Sequence, residues 1–250
     1  MAVKDSNDLK RKVDRVLDSD INDFSEVDEV TLNEVYRVES GDDVYYVKRF
    51  VSQDWFDRIV NRFDSRDKVS FPSREKRTQN LINSREYLRV SGFELPDIEF
   101  LDKYTVLKES VPGEKFRDIE QILDGEKAQQ LGSKVGEVFW NLNSEDMALI
   151  DTTADNLSFQ YEDDWNVYVI DSEFFETEAS RRDQYEDIFG ITSHVFRWNG
   201  ELYQEFMYGF GESYEGLPKR HEDIGFASAI MNSLLNRDYE AFRKSYENWS

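Results

Sequence analysis

Three oxygen-bearing side chains stand at positions where they could manage a phosphate. Asp151 and Asn156 are five residues apart, and Asp171 follows after two short apolar runs, Leu157-Ser158-Phe159 and Val167-Tyr168-Val169. An Asp in such a loop can accept or orient the proton of an incoming hydroxyl. An Asn across the same loop offers a neutral oxygen to Mg²⁺, and a second Asp at a strand end supplies a hard anionic ligand. The spacing alone is common, since Asp28 and Asn33 repeat it. What distinguishes Asp151 is its setting: it follows a long amphipathic stretch and precedes a β-turn-β pattern that ends in Asp171. Lys48 is the fourth candidate. It lies in Val44-Tyr45-Tyr46-Val47-Lys48-Arg49-Phe50-Val51, a β-branched and aromatic run that reads as a strand. A Lys there is a compact cation able to reach phosphate oxygens.

The elements that must position these residues follow from periodicity. Leu9, Val13, Val16 and Leu17 recur at helical spacing near the N-terminus, predicting a short surface helix. Val30, Leu32 and Val35-Tyr36-Arg37-Val38 read as strands, and Ser40-Gly41-Asp42-Asp43 as a turn. Trp55, Phe56, Ile59, Val60 and Phe63 predict a helix. Ser73 is a candidate N-cap for a second helix over 74–90, with Gly92 as its stop. Strands are expected over 98–101 and 104–111, ended by Pro112-Gly113, and a short helical piece over 116–123. Leu131, Val135, Val138 and Phe139 predict a helix over 127–142. Helices are further expected over 184–191, 202–210 and 226–246, with Tyr203, Phe206 and Phe210 in the core. The pattern is a strand-rich first half, a Pro-Gly hinge and a mainly helical second half.

Composition removes several classes of function. The chain has no Cys and only His194 and His221, both expected on the surface or at caps. Disulfides, thiolate chemistry and cysteine-based metal sites are therefore excluded, and two His argue against a Ser-His-Asp triad or a multi-His zinc site. No apolar run approaches the length of a membrane span, and the charged first residues lack the apolar core of a signal peptide. The net charge of −22 is dispersed rather than gathered in a tail. It reads as the acidity of a halophile's protein in a high-salt cytosol rather than one acidic binding face. It argues against an extended nucleic-acid surface, which needs clustered Lys and Arg.

Taken together, these residues resemble the atypical branch of the protein-kinase-like superfamily. That branch holds the Kdo/lipopolysaccharide kinases, the RIO kinases and the kinase of the tRNA-threonylcarbamoylation complex. Asp151-Thr152-Thr153-Ala154-Asp155-Asn156 is similar to the catalytic loop of the last group. Val44-Tyr45-Tyr46-Val47-Lys48-Arg49-Phe50 resembles the strand of the phosphate-binding Lys. Gly92-Phe93-Glu94-Leu95-Pro96 resembles the entry to the fourth strand, and Val106-Leu107-Lys108-Glu109-Ser110-Val111-Pro112-Gly113 the fifth strand and hinge. The resemblance implies a bilobal α+β fold: a helical extension over 1–26, a sheet-bearing N-lobe over 27–111 and a mainly helical C-lobe over 112–250. It implies ATP and Mg²⁺ (or Mn²⁺) as cofactors, Asp151 and Lys48 as catalytic residues, and Asn156 and Asp171 as metal ligands. Glu75 is the expected partner of Lys48, with Glu86 as the other choice, and Glu109 and Val111 would bracket the adenine. Asp183 is placed like the buried helical Asp that props the catalytic loop. The acceptor would be a hydroxyl on a protein, glycan or metabolite, with the Thr-Thr loop leaning toward the atypical protein or lipopolysaccharide type.

The chain departs from the family in several places. No glycine lies between Asp28 and Arg37, so a plain hairpin would cover the phosphates. Leu149 and Ile150 stand where His and Arg are usual, and Ser172-Glu173 replaces Phe-Gly. These departures keep a pseudokinase or nucleotide-binding scaffold as the alternative.

Overall fold

The computed structural model describes residues 2–17, 20–27, 33–51, 72–116, 118–152, 155–195 and 197–214. The strand expected at Val30 and Leu32 and the helices expected over 55–63 and 226–246 lie outside the described residues, as do Thr153, Ala154 and His221. The chain divides into two compact units, Met1–Ile82 with Pro96–Val111, and Asn83–Leu95 with Pro112–Ser250.

The first unit is built on a five-stranded antiparallel sheet. Its strands are β1 (Ile21–Glu26), β2 (Asn33–Ser40), β3 (Asp43–Phe50), β4 (Ile98–Asp102) and β5 (Thr105–Glu109), ordered β1-β2-β3-β5-β4. β2 and β3 form a hairpin in which Ser40 pairs with Asp43 across Gly41, whose φ of 64° suits a tight turn. Side chains alternate across the sheet, and each face has its own helix. Tyr36, Val38, Val47 and Leu107 pack against Leu9 and Val13 of α1 (Ala2–Asp14). Phe50 and Val106, on the other face, pack against Leu81 of α2 (Arg74–Val90). With both faces covered, Thr105, Val106, Leu107 and Lys108 are all buried in succession. The Lys12 ammonium donates to Asp102 at 2.7 Å and fastens α1 to β4.

The segment 1–26 thus belongs to this unit: α1 covers one sheet face and β1 pairs with β2. β1 reads Ile-Asn-Asp-Phe-Ser-Glu, poor in β-formers. It holds its place as an edge strand, where hydrogen bonds to β2 suffice and polar side chains stay wet.

The second unit centres on α3 (Gly125–Asn143) and α5 (Gly200–Ser213). Beside them are α4 (Arg181–Val195) and a three-stranded sheet ordered β6 (Glu114–Lys115), β7 (Leu157–Tyr161), β8 (Trp165–Val169). Each helix has a physical start. Asp124 accepts from Lys127 N–H at 2.9 Å, and Asn199 accepts from the N–H groups of Glu201 and Leu202. The core gathers around Phe116, whose ring meets Phe159 edge-on at 4.8 Å and lies beside Trp198 and Phe206. Tyr203, Phe206 and Phe210 are buried as expected. The half of α2 from Asn83 onward also belongs to this unit. It ends at Gly92, whose φ of 97° lets the chain reverse before Phe93 enters the core.

Candidate active site

The loop carrying Asp151 leaves α3 through Asn143 and enters a network of buried polar groups. Asp187 of α4 is fully buried. Its carboxylate accepts from Leu149 N–H at 2.9 Å and from Ile150 N–H at 2.7 Å. Asn143 Nδ2 donates to Met147 O at 2.9 Å and reaches Asp187 at 3.4 Å, while Tyr214 Oη donates to Asn143 Oδ1 at 2.8 Å. Thr152 Oγ1 then donates to the Asp187 carbonyl at 3.0 Å. One residue therefore holds the backbone before Asp151 and the Thr152 side chain after it. The clamp holds Ile150 at φ 67°. That region is costly for a β-branched residue and persists only where the surroundings enforce it.

The propping residue is Asp187, not Asp183 as the resemblance implied. Asp183 lies one turn earlier, where α4 begins. It accepts from Ser180 N–H and Ser180 Oγ, both at 2.7 Å, while Ser180 Oγ accepts from Asp183 N–H, a capping box. A carboxylate in the first helical turn is drawn to the open N–H groups there, and Asp187, one turn further along, is the acid that faces the loop.

Backbone bonds tie the loop to the strand end that bears Asp171. Ala148 and Glu176 exchange hydrogen bonds at 3.1 and 3.0 Å, and Ile170 N–H donates to Asn156 O at 2.8 Å. Asp171 is thus one residue beyond a direct link to Asn156. Asn156 Nδ2 donates to the Asp151 carbonyl at 3.0 Å, which closes the loop and turns Asn156 Oδ1 away from that carbonyl. Ser172 Oγ and Ser84 Oγ of α2 share a 2.7 Å hydrogen bond, which fixes the chain just after Asp171. Asp151, Asn156 and Asp171 are brought together by bonds that no local sequence signal foretells. Among the described residues no group of three or more acidic or His side chains forms a ready metal cage. A carboxylate and an amide oxygen are the hard donor set of a site where Mg²⁺ is completed by water and phosphate.

In the first unit, Lys48 is buried on the α2 side of the sheet, its Nζ 5.4 Å from the Phe50 ring centre. Glu75, expected beside it, is engaged elsewhere. Its carboxylate accepts from Tyr104 Oη at 2.6 Å and pairs with Arg74. The Tyr104 hydrogen bond, ahead of Arg74, holds Glu75 below the usual carboxylate range. Glu75 and Glu86 both lie on the exposed side of α2, while its buried side presents Arg77, Thr78, Asn80, Leu81 and Ser84. Arg77 on that buried side donates to Asn33 Oδ1 at 2.9 Å and to Val51 O at 2.8 Å.

Glu109 and Val111 end the same unit. Glu109 N–H is given to Asp97 O at 3.0 Å and Ser110 N–H to Val44 O at 2.9 Å. Among the described residues, these bonds do not involve the Glu109 carbonyl or the Val111 N–H. His194, expected on the surface or at a cap, lies in the last turn of α4 and is half-buried against the Phe116 ring at 6.0 Å. Burial, and then Arg197, lower its pKa from the usual His value.

No family model and no curated protein matches the sequence. Solved structures of similar fold do exist. The streptomycin–ATP ternary complex of APH(2'')-IIa superposes with a TM-score of 0.55 at 13% identity, covering 97% of this chain and 98% of that one. The ADP-bound aminoglycoside phosphotransferase APH(2'')-Ib gives 0.50 at 12% identity, covering 99% and 96%. The ADP/Mg²⁺-phosphoaspartate complex of Rio2 kinase from Chaetomium thermophilum gives 0.52 at 14% identity, covering 96% and 75%. With its antiparallel sheet, its Asp187-clamped loop and these likenesses, the chain has an α+β, protein-kinase-like fold.

Proposed function

We propose that the chain is a phosphotransferase that moves the terminal phosphoryl group of Mg²⁺–ATP to a hydroxyl. The observation that carries this reading is the clamped loop: Asp187 holds Leu149 and Ile150, Asn156 holds Asp151, and Asn156 is bonded one residue from Asp171. Asp151 orients the acceptor hydroxyl and takes its proton as the oxygen attacks phosphorus. The bond from the terminal phosphorus to its bridging oxygen breaks, leaving a phosphate ester and a nucleoside diphosphate. Lys48 holds phosphate oxygens, and the Glu109 carbonyl and Val111 N–H hold the base. Asn156 and Asp171 would hold the divalent ion, which neutralises the phosphates. Catalysis is then mainly positioning and charge stabilisation.

The phosphotransferases and the kinase of similar fold support the reading. Their variety, from a complex with streptomycin to Rio2, leaves the acceptor to be found by screening glycans, aminated sugars, metabolites and protein hydroxyls. The test is nucleotide turnover in molar KCl. Asp151→Ala should lower turnover about 10²- to 10⁴-fold while nucleotide still binds. Asp171→Asn should abolish both turnover and the Mg²⁺ dependence of binding. Turnover unaffected by either change would refute the assignment.

The second reading is a nucleotide-binding scaffold. It is favoured by one observation: Glu75, the expected partner of Lys48, is held by Tyr104, and Glu86 lies on the exposed side of α2. Nucleotide binding without turnover in every acceptor screen would select it.

A further inference from the structure

Lys115 is set in rigid backbone. Gly113, with a φ of 87°, lies so close to β7 that an added Cβ would stand 2.3 Å from the Phe159 carbonyl oxygen. Ser158 Oγ donates to Pro112 O at 2.8 Å. In the β6–β7 ladder Glu114 pairs with Phe159 and Lys115 with Ser158. Phe116, the next residue, is wholly buried against Phe159, Trp198 and Phe206. The backbone of Lys115 is thus fixed on both sides, and its side chain projects from an immovable base.

That side chain reaches the loop of Asp151. Lys115 Nζ donates to Asp155 Oδ1 at 3.3 Å, and both residues belong to the second unit. Asp155 directly precedes Asn156, whose carbonyl accepts from Ile170 N–H and whose amide closes onto the Asp151 carbonyl. The Asp151–Asn156 turn is therefore tethered at both ends. Its leading end hangs on the buried Asp187. Its trailing end is tied through Asp155 to the cation on β6. The paired side chains are 38% and 53% exposed, so the pair adds little to the stability of the whole chain. What such a pair can do is select among conformations of the loop it touches. It can do so in salt as well: at 1 M the Debye length is about 3 Å, so a contact pair persists where longer-range attraction is screened.

We propose that Lys115 is a positioning residue for phosphoryl transfer: by holding Asp155 it fixes the turn that carries Asp151 and Asn156. The proposal rests on the reading of that turn as catalytic.

The test uses the full chain with Mg²⁺–ATP in molar KCl and water as the acceptor. Lys115→Met should lower kcat about tenfold, because small misplacements of a reacting group are costly, and should move KM for ATP by less than about twofold. Lys115→Arg, which keeps the charge, should restore most of the loss. Asp155→Asn removes the pair from its other side and should repeat the loss, and it stands in for the Met variant if that one does not fold. The double variant should lose no more than either single one. Melting temperatures should stay near the wild-type value throughout. The Ile170 amide, held by Asn156 O, should exchange with solvent about two- to fivefold faster in Lys115→Met, while the Leu149 and Ile150 amides on Asp187 keep the wild-type rate. Losses that add in the double variant, or a kcat that falls only in step with melting temperature, would make Lys115 a structural residue and overturn the idea. An Ile170 amide that exchanges at the wild-type rate in Lys115→Met would overturn it too. If the wild-type protein shows no turnover, the phosphotransferase reading fails by itself, and Ile170 exchange alone decides whether Lys115 holds the turn.

Discussion

Asp187 shows how one buried carboxylate can organise a loop it does not belong to. Its oxygens accept from two successive N–H groups, so the peptides before Asp151 cannot rotate independently. Asp187→Asn keeps the shape but points an amide donor at one of those N–H groups. It should cost about 1–3 kcal/mol of stability in chemical denaturation and depress turnover with it. Asp183→Ala removes only a helix cap, so a loss of about 1 kcal/mol with little change in turnover is expected. If the two variants lost turnover equally, the division of labour between these acids would be wrong. His194 gives a pH signature. Its folded-state pKa is lowered by burial, so the unfolded chain takes the proton first as pH falls. Stability is therefore full above about pH 6.5 and is lost as pH drops through that value toward the folded-state pKa. His194→Gln should flatten the stability-versus-pH curve between about pH 5 and 7, measured by denaturation at each pH.

At the scale of elements, α3 and α5 approach so closely that backbone meets backbone. A Cβ added at Gly132 would lie 2.0 Å from the Phe206 carbonyl oxygen, and one at Gly209 would lie 2.0 Å from that of Gln129. Neither neighbour is a side chain that could swing aside. Gly132→Ala should therefore force the helices apart and cost about 1–3 kcal/mol, seen as a fall in melting temperature, although alanine is the better helix former. α2 is a second instructive element. Its buried stripe of Arg77, Thr78, Asn80, Leu81, Ser84 and Leu88 is largely polar, so the helix is recognised by its Ser73 cap and Gly92 stop rather than by a hydrophobic face. Ser73 Oγ accepts from Lys76 N–H at 3.2 Å, as the sequence suggested. β1 carries the opposite lesson, since its strand character comes from pairing with β2 and not from its own residues.

For the whole molecule the dominant quantity is the charge of −22. Like charges at this density oppose compaction, and salt relieves them: the Debye length is about 10 Å at 0.1 M and about 3 Å at 1 M. The melting temperature should rise from dilute buffer to molar KCl, and more than for a near-neutral protein of the same size. A melting temperature that is flat or falling with KCl would count against adaptation to a salty interior. Among the described residues no helix is long and apolar enough to cross a membrane.

What the sequence determined by itself was the order of elements. The β2–β3 hairpin, α2, the β4–β5 pair, α3, the β7–β8 hairpin and the two helices after it all follow from periodicity, caps and turn residues, which act within a few positions along the chain. So does the placing of Asp151 and Asn156 in a loop after a helix, with Asp171 at the end of the next hairpin. Only the tertiary structure decided which acid props that loop, where Glu75 finds its partner, that His194 is half-buried, that β1 is a strand, and that Lys48 and Lys108 share one buried face. Each of those depends on a neighbour far along the chain: Leu149 for Asp187, Tyr104 for Glu75, Phe116 for His194, β2 for β1, and the β3–β5 register for the two lysines. A side chain's type states what it can bond. Which partner it meets is settled by packing, because burial removes water as the alternative and leaves only the groups that the fold has brought within reach.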